Sequence, residues 1–226
     1  MTYITIEREY GSGGRAVAQQ LSAETGLPCY GREVLEAASQ YLHMPVAQLE
    51  QYEENPTGSI LYSIAMLGKV QSADPDLLMK DGSLLVAEHR AIREFADRGP
   101  AIFLGHCASE ALKDRDKVVT VFIKSTPEAR KKRIVREYGI PENQVSAAIR
   151  RFDRKRAGYY QTNTTRKWRD FQNYDLVLDS AALGTEGCVA ALKGLLSRWE
   201  EIPGMIFLRP LSERRCWSAL QRGFCC

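Results

Sequence analysis

Tyr3-Ile4-Thr5-Ile6-Glu7-Arg8-Glu9-Tyr10-Gly11-Ser12-Gly13-Gly14-Arg15 is the stretch on which the reading of this chain turns. It opens β-branched and aromatic, becomes charged and then glycine-rich, and from 15 to 24 apolar residues return at helical spacing (Val17, Ala18, Leu21). The order is strand, glycine loop, helix. In that setting successive backbone N–H groups and the positive end of the helix form a cradle for phosphate, because glycine lets oxygen come close to the backbone. Gly11, Ser12, Gly13, Gly14 and Arg15 are therefore the candidate phosphate-binding residues. The loop departs from the pattern G-x-x-x-x-G-K-[ST]. With Gly13 at the second glycine, Arg8 stands at the first, Gly14 replaces the lysine, and neither Arg15 nor Ala16 brings the hydroxyl. A tight strand-to-helix turn without a ligand is the plain alternative.

Working outward, Leu27-Pro28-Cys29-Tyr30 reads as a second strand and 33–42 as a helix with Val34, Leu35, Ala38 and Leu42 on one side. Residues 44–82 contain Pro45, Pro56, Gly58, Gly68, Pro75 and Gly82, which predicts short helices broken by turns in an inserted lobe. A helix over 84–96 precedes Ala101-Ile102-Phe103-Leu104, which ends at Gly105, and Val118-Val119-Thr120-Val121-Phe122-Ile123 follows. Both runs are continuously apolar, as strands buried on two faces are. Pro127 with Glu128, and Pro141 with Glu142, each open a helix, the second reaching about 156. A strand at Tyr174-Asp175-Leu176-Val177-Leu178 and a helix over 186–196 close the alternation. Strands alternating with helices predict an α/β fold with a doubly wound parallel sheet and ligands at the carboxyl ends of its strands. The glycine loop and Gly105 both fall at such ends. Residues 199–226 form a tail with no assigned element.

The chain has 226 residues, 44% hydrophobic and 26% charged, the balance of a globular domain rather than a disordered one. No apolar run approaches the roughly 18 residues of a membrane helix, and the N-terminal residues lack the basic-then-apolar order of a secretory signal. A cytoplasmic protein without a membrane partner is expected. Six cysteines with no C-x-x-C pair, and only three histidines, argue against a zinc site or a disulfide framework. Net charge is +3, but it is unevenly spread: between 130 and 169 thirteen Lys/Arg stand against Glu137, Glu142 and Asp153, which leaves the rest of the chain acidic. That positive field favours a polyanionic partner, nucleotide phosphates or a nucleic-acid backbone, with a solvated helix face as the alternative. Arg130 and Arg133 are three apart, as are Arg150 and Asp153, and Arg154 is four from Arg150. Such spacing aims guanidinium groups into one cleft, where their planar forks suit phosphate.

The opening string through Arg15 resembles that of the cytidylate kinase-like family, a branch of the P-loop nucleoside monophosphate kinases. The similarity continues at Ile92-Arg93-Glu94-Phe95-Ala96, Phe103-Leu104-Gly105-His106-Cys107-Ala108, Asp153-Arg154-Lys155-Arg156-Ala157-Gly158-Tyr159-Tyr160 and Asn173-Tyr174-Asp175-Leu176-Val177-Leu178, and spans 3 to about 198. The resemblance implies a single kinase-like domain over 1–198. Its P-loop-type α/β core would be 1–30, 83–129 and 170–198, its helical acceptor-binding lobe 31–82 and its arginine-rich lid 130–169. It implies ATP and magnesium as cofactors and CMP, dCMP or a similar small acceptor as substrate, with no nucleic-acid partner expected. The residues it singles out for catalysis are Arg15, Arg130, Arg133, Asp153 and Arg156. Arg15 would meet the β/γ-phosphates in place of the missing lysine, and Asp153 would orient Arg150 or Arg156. Arg32, His106, Arg150 and Arg154 would bind the acceptor, and Ser12 would substitute as the loop's magnesium ligand. His106 stands where relatives carry Arg, and Gly31 where they carry Asp, both on the acceptor side. Two rivals accompany this reading: a nucleotide sensor that no longer catalyses, and a nucleic-acid binder using 130–169. Tyr159, Tyr160 and Trp168, interleaved with the basic residues, are expected to anchor the lid to the core rather than to stack on bases.

Overall fold

A computed structural model of the chain describes residues 2–47, 49 and 75–201, together with the side chains outside 75–83 and 198–201. Five strands form one all-parallel sheet: β1 (Tyr3–Arg8), β2 (Cys29–Tyr30), β3 (Ala101–Leu104), β4 (Val118–Lys124) and β5 (Leu176–Asp179), in the order β2-β3-β1-β4-β5. β1 is central, with Ile4 opposite Ile102 on one side and Val119 on the other. Its unbroken apolar run is explained by this position, since Ile4 and Ile6 are wholly buried and each stabilises the fold by about 1.5–3 kcal/mol. This is the doubly wound parallel α/β architecture that the alternation predicts, and it agrees with the P-loop-type core that the resemblance implies.

The helices are α1 (Gly14–Thr25), α2 (Arg32–Leu42), α3 (Pro75–Asp97), α4 (Ala108–Ala111), α5 (Pro127–Tyr138), α6 (Glu142–Thr164) and α7 (Ser180–Glu201). α1 and α7 cover one face of the sheet, where Val17, Ala18 and Leu21 meet Val189, Leu192 and the strand residues Ile6, Ile102 and Val121. The other face is packed by Val34, Ala91, Ile92, Phe95 and Leu112 around Tyr3 and Phe103. Beyond β4, Phe122, Tyr160, Trp168 and Tyr174 form an aromatic cluster under α6. Tyr160 and Trp168 thus join α6 and the segment after it to the core, and Tyr159, packed against the same cluster, also lines a cleft described below.

Several boundaries differ from the sequence expectations. α3 begins at Pro75 and runs straight through Gly82, because one glycine inside an otherwise regular helix costs only about 1 kcal/mol. α6 reaches Thr164 rather than ending near 156, its apolar and aromatic residues continuing at helical spacing to Tyr160. α7 starts directly after β5, at Ser180, and carries a non-helical break at Gly184 (φ 66°, ψ 178°), which the later start read from the sequence skipped. α5 follows its signals closely: Thr126 Oγ1 accepts from Ala129 N, Pro127 sits in the first turn, and Gly139 closes the helix at φ 64°. Residues 48 and 50–74 of the expected lobe, and 202–226 of the tail, lie outside the described residues. Among the described residues no helix is long and apolar enough to cross a membrane.

Candidate functional site

Between β1 and α1 the chain turns through residues 9–13, and every carbonyl from Arg8 to Gly13 accepts a hydrogen bond. Arg156 Nη1 donates to Arg8 O (2.9 Å), Arg130 Nε to Tyr10 O (2.7 Å), Arg133 Nη1 to Gly11 O (2.8 Å) and Ser180 Oγ to Ser12 O (2.5 Å). Ser12 N donates to Glu9 O (3.1 Å) and Val17 N to Gly13 O (3.0 Å). A trans peptide sends its N–H opposite to its C=O, so pinning the carbonyls fixes where the N–H groups aim. Glu9 N is taken by Ile123 O (3.1 Å) and Tyr10 N by Asp153 Oδ1 (2.9 Å). Among the described residues the N–H groups of Gly11, Gly13, Gly14, Arg15 and Ala16 have no protein acceptor, and no side chain caps α1. Gly11 (φ 74°) and Gly13 (φ 79°) adopt the left-handed conformation that gathers such groups into a concave nest. The Arg133 guanidinium lies over it, since a Cβ on Gly13 would stand 3.0 Å from Arg133 Cζ. The loop fits an anionic phosphate.

Beside the nest opens a cleft of about 420 Å³. Arg8, Arg15, Arg32, Lys155 and Arg156 line it, with Glu7 and Glu33 as acids and His106 and Tyr159 further in. His106 Nδ1 is 3.0 Å from Glu88 Oε1, and Glu88 Oε2 accepts from the Tyr159 hydroxyl. Glu88 is fully buried, and these partners offset part of the cost of its charge. Burial, and then the neighbouring Arg8 guanidinium, push Arg156 down to about 9. An incoming anion would relieve that cost. Burial, and then Glu33, push the Cys29 thiol up to about 11 in the same cleft.

A second cleft, of about 650 Å³, lies along the other side of α6 and is lined by Glu9, Ser125, Arg130, Arg150, Asp153, Arg154 and Arg169. Its floor is an ion network. Asp153 Oδ2 accepts from Arg130 Nη2 (2.6 Å) and Arg169 Nη2 (2.8 Å), and Glu9 meets Arg169 (2.8 Å) and Arg130 (3.4 Å).

The structure therefore divides the sequence-predicted residues. Arg32, His106, Arg15 and Arg156 share the first cleft; Arg150 and Arg154 face the second. The hydrogen bonds of Asp153 go to Arg130, Arg169 and the Tyr10 N–H rather than to Arg150 or Arg156, the expected partners. Arg130 is held in that network, with its Nε on Tyr10 O. Arg15 lines the cleft, whereas the guanidinium over the nest is that of Arg133. Ser12 has a fully buried side chain whose Oγ is without a partner, and it lines neither cleft. That orientation does not fit a magnesium ligand, and among the described residues no group of three or more His, Cys, Asp or Glu could hold a metal. Sequence reasoning missed Glu88, whose partners lie 18 and 71 residues away, and Ser180, 168 residues from Ser12. It also assigned no role to Arg8, although an arginine at the first-glycine position was a visible signal.

Among solved structures, that of an uncharacterized protein from Eubacterium ventriosum superposes with a TM-score of 0.64 at 21% identity, over 87% of this chain and 99% of that one. It shares the fold. A shikimate kinase from Bacteroides thetaiotaomicron matches at 14% identity with a TM-score of 0.49, over 87% of this chain and 98% of that chain. No curated protein matches the sequence. The phosphate nest at the end of the central strand and the cationic cleft beside it lie within residues 3–182, which match the cytidylate kinase-like family, and the chain belongs to that family.

Proposed function

We propose that the chain is a kinase-like phosphotransferase that moves the γ-phosphoryl group of ATP to a nucleoside monophosphate, CMP or dCMP by family, or to an anionic acceptor of similar size. One observation carries this reading: six consecutive loop carbonyls are pinned so that the N–H groups of a helix start are left open to an anion, directly beside a cleft with five cations. The cleft, at about 420 Å³, is of a size for a small-molecule ligand. ATP, if bound at the nest, would supply the phosphoryl group, and magnesium brought with its phosphates would neutralise part of their charge.

The chain's own residues do the positioning. The nest and Arg133 hold the donor phosphates, and Arg156 stands between donor and acceptor, where charge develops during transfer. Arg15 and Arg32 draw the acceptor's anionic group into the cleft, and His106, braced by Glu88, contacts it from the end of β3. Arg130 and Asp153 act as positioning residues, since both grip Tyr10 and neither lines the first cleft. A non-catalytic nucleotide sensor is the reading that Gly14 in place of the loop lysine would favour.

The deciding experiment follows ADP formation from ATP and magnesium against a panel of nucleoside monophosphates, with Arg133→Ala and Arg15→Ala as controls. Turnover with one monophosphate, lost in Arg133→Ala, supports the kinase. ATP binding without turnover on any acceptor supports the sensor. Salt-sensitive oligonucleotide binding that ATP does not displace would support a nucleic-acid role instead.

A further inference from the structure

Gly14 and Arg8 are in direct contact. A Cβ on Gly14 would lie 2.6 Å from Arg8 Cβ and 3.0 Å from Arg8 Cγ. The first of these atoms is fixed to the backbone of β1, so it cannot swing aside, and only one of the two positions can carry a side chain. In the pattern G-x-x-x-x-G-K-[ST] the same two positions hold glycine and lysine. This chain holds the reverse, arginine at 8 and glycine at 14.

The Arg8 side chain runs from there to the end of β3. Gly105 (φ 83°) sits under its guanidinium, and a Cβ at Gly105 would collide with Nη1. Two glycines thus clear the route of one arginine, from the start of α1 to the mouth of the cleft that Arg8 lines. Arg8 is half-buried and, among the described residues, has no carboxylate within ion-pairing distance. Arg156 donates to the Arg8 carbonyl, and both side chains line the same cleft. Like charges held together in a partly buried place favour an anion between them.

We propose that Arg8 is the cation of the phosphate loop, doing from the last residue of β1 what a lysine at position 14 does in loops of the ordinary pattern. This rests on the phosphotransferase reading. Its planar fork reaches oxygens at the junction of nest and cleft and grips two at once, which a lysine cannot do. It therefore bridges donor and acceptor rather than only the donor. The glycines at 14 and 105 are required by that path.

The test is calorimetric titration with ATP plus magnesium, and separately with inorganic tripolyphosphate, of wild type, Arg8→Ala, Arg8→Lys, Gly14→Lys and Arg8→Gly/Gly14→Lys, each checked by thermal melting. Loss of one charged contact predicts that Arg8→Ala weakens both ligands by roughly tenfold to a hundredfold, with Arg8→Lys in between. Gly14→Lys alone should melt early and bind poorly, because its Cβ meets Arg8. The double variant should regain melting temperature and most of the affinity. Wild-type affinity in Arg8→Ala, or a double variant no better than Gly14→Lys, overturns the proposal. Tripolyphosphate binding that depends on Arg8, in a protein that ignores ATP, would overturn the function and keep the role of Arg8. Binding of neither ligand overturns both.

Discussion

His106 Nδ1 and Glu88 Oε1 stand 3.0 Å apart, joining the end of β3 to the middle of α3. The other oxygen of Glu88 takes the Tyr159 hydroxyl from α6, so one buried carboxylate ties three elements around the cleft. Glu88→Ala removes one contact each from His106 and Tyr159, at about 1.5–3 kcal/mol for a hydrogen bond to a charged group. Urea unfolding should show that loss, and Glu88→Gln, which keeps one acceptor oxygen, should show less. If both variants unfold as wild type does, Glu88 does not brace the cleft.

The second carboxylate hub is Asp153. Removing it leaves Arg130, which is 4% exposed, with Glu9 at 3.4 Å as its remaining carboxylate, and frees Tyr10 N. Breaking such a buried pair from one side costs about 3–5 kcal/mol. Asp153→Ala should be destabilised by that order in denaturant titration, while Arg130→Met/Asp153→Leu, which removes both charges, should lose less. A double variant worse than Asp153→Ala would contradict this.

Gly11→Ala tests the nest itself. Its φ of 74° disfavours any Cβ by about 1–2 kcal/mol, and the added atom would lie 2.6 Å from Ile134 Cδ1 and 3.2 Å from Arg130 O. The Ile134 side chain can yield, but the backbone of α5 cannot do so cheaply. We expect a lower melting temperature together with weaker tripolyphosphate binding. Unchanged binding would show that the Gly11 peptide is not part of the anion site.

How far these contacts could be read from the sequence depends on their range. β1, the loop and α1 are legible because periodicity and glycine act over a few residues, and the buried strands because Ala101 to Leu104 and Val118 to Ile123 are continuously apolar. Asp153 was visible as a partner for arginine, but not which arginine: Arg150 and Arg154 are its neighbours on the helix, and the fold instead supplies Arg130 and Arg169 from elsewhere. Arg15 follows the loop in sequence, yet its side chain leaves α1 toward the cleft, and Arg133 reaches the loop from α5. Helical phase and tertiary packing settle such choices, and neither is encoded by spacing alone.

Cys29 offers a pH test. Burial, then Glu33, raise its thiol from 9.0 to about 11. At pH 8 its thiolate fraction is roughly a hundredfold below that of an ordinary cysteine. Iodoacetamide labelling of the Cys29 peptide, followed by mass spectrometry, should be slow at pH 8 and accelerate between pH 9 and 11. The sign for stability follows: below pH 9 the thiol is neutral in both states, and above it the unfolded chain ionises first, so folding is penalised as pH rises. Rapid labelling at pH 8 would contradict the environment described.

The pinned carbonyls also set an order of assembly. Their donors Arg130, Arg133, Arg156 and Ser180 lie 120, 122, 148 and 168 residues beyond their partners in the loop. Contacts of such separation close late, after the loop-closure entropy has been met. On a ribosome the glycine loop is made ahead of its donors, and its peptide planes are aligned only when α5, α6 and the start of α7 have emerged and docked. The anion nest is thus synthesised well before the elements that pin it and is among the last parts of the fold to take shape.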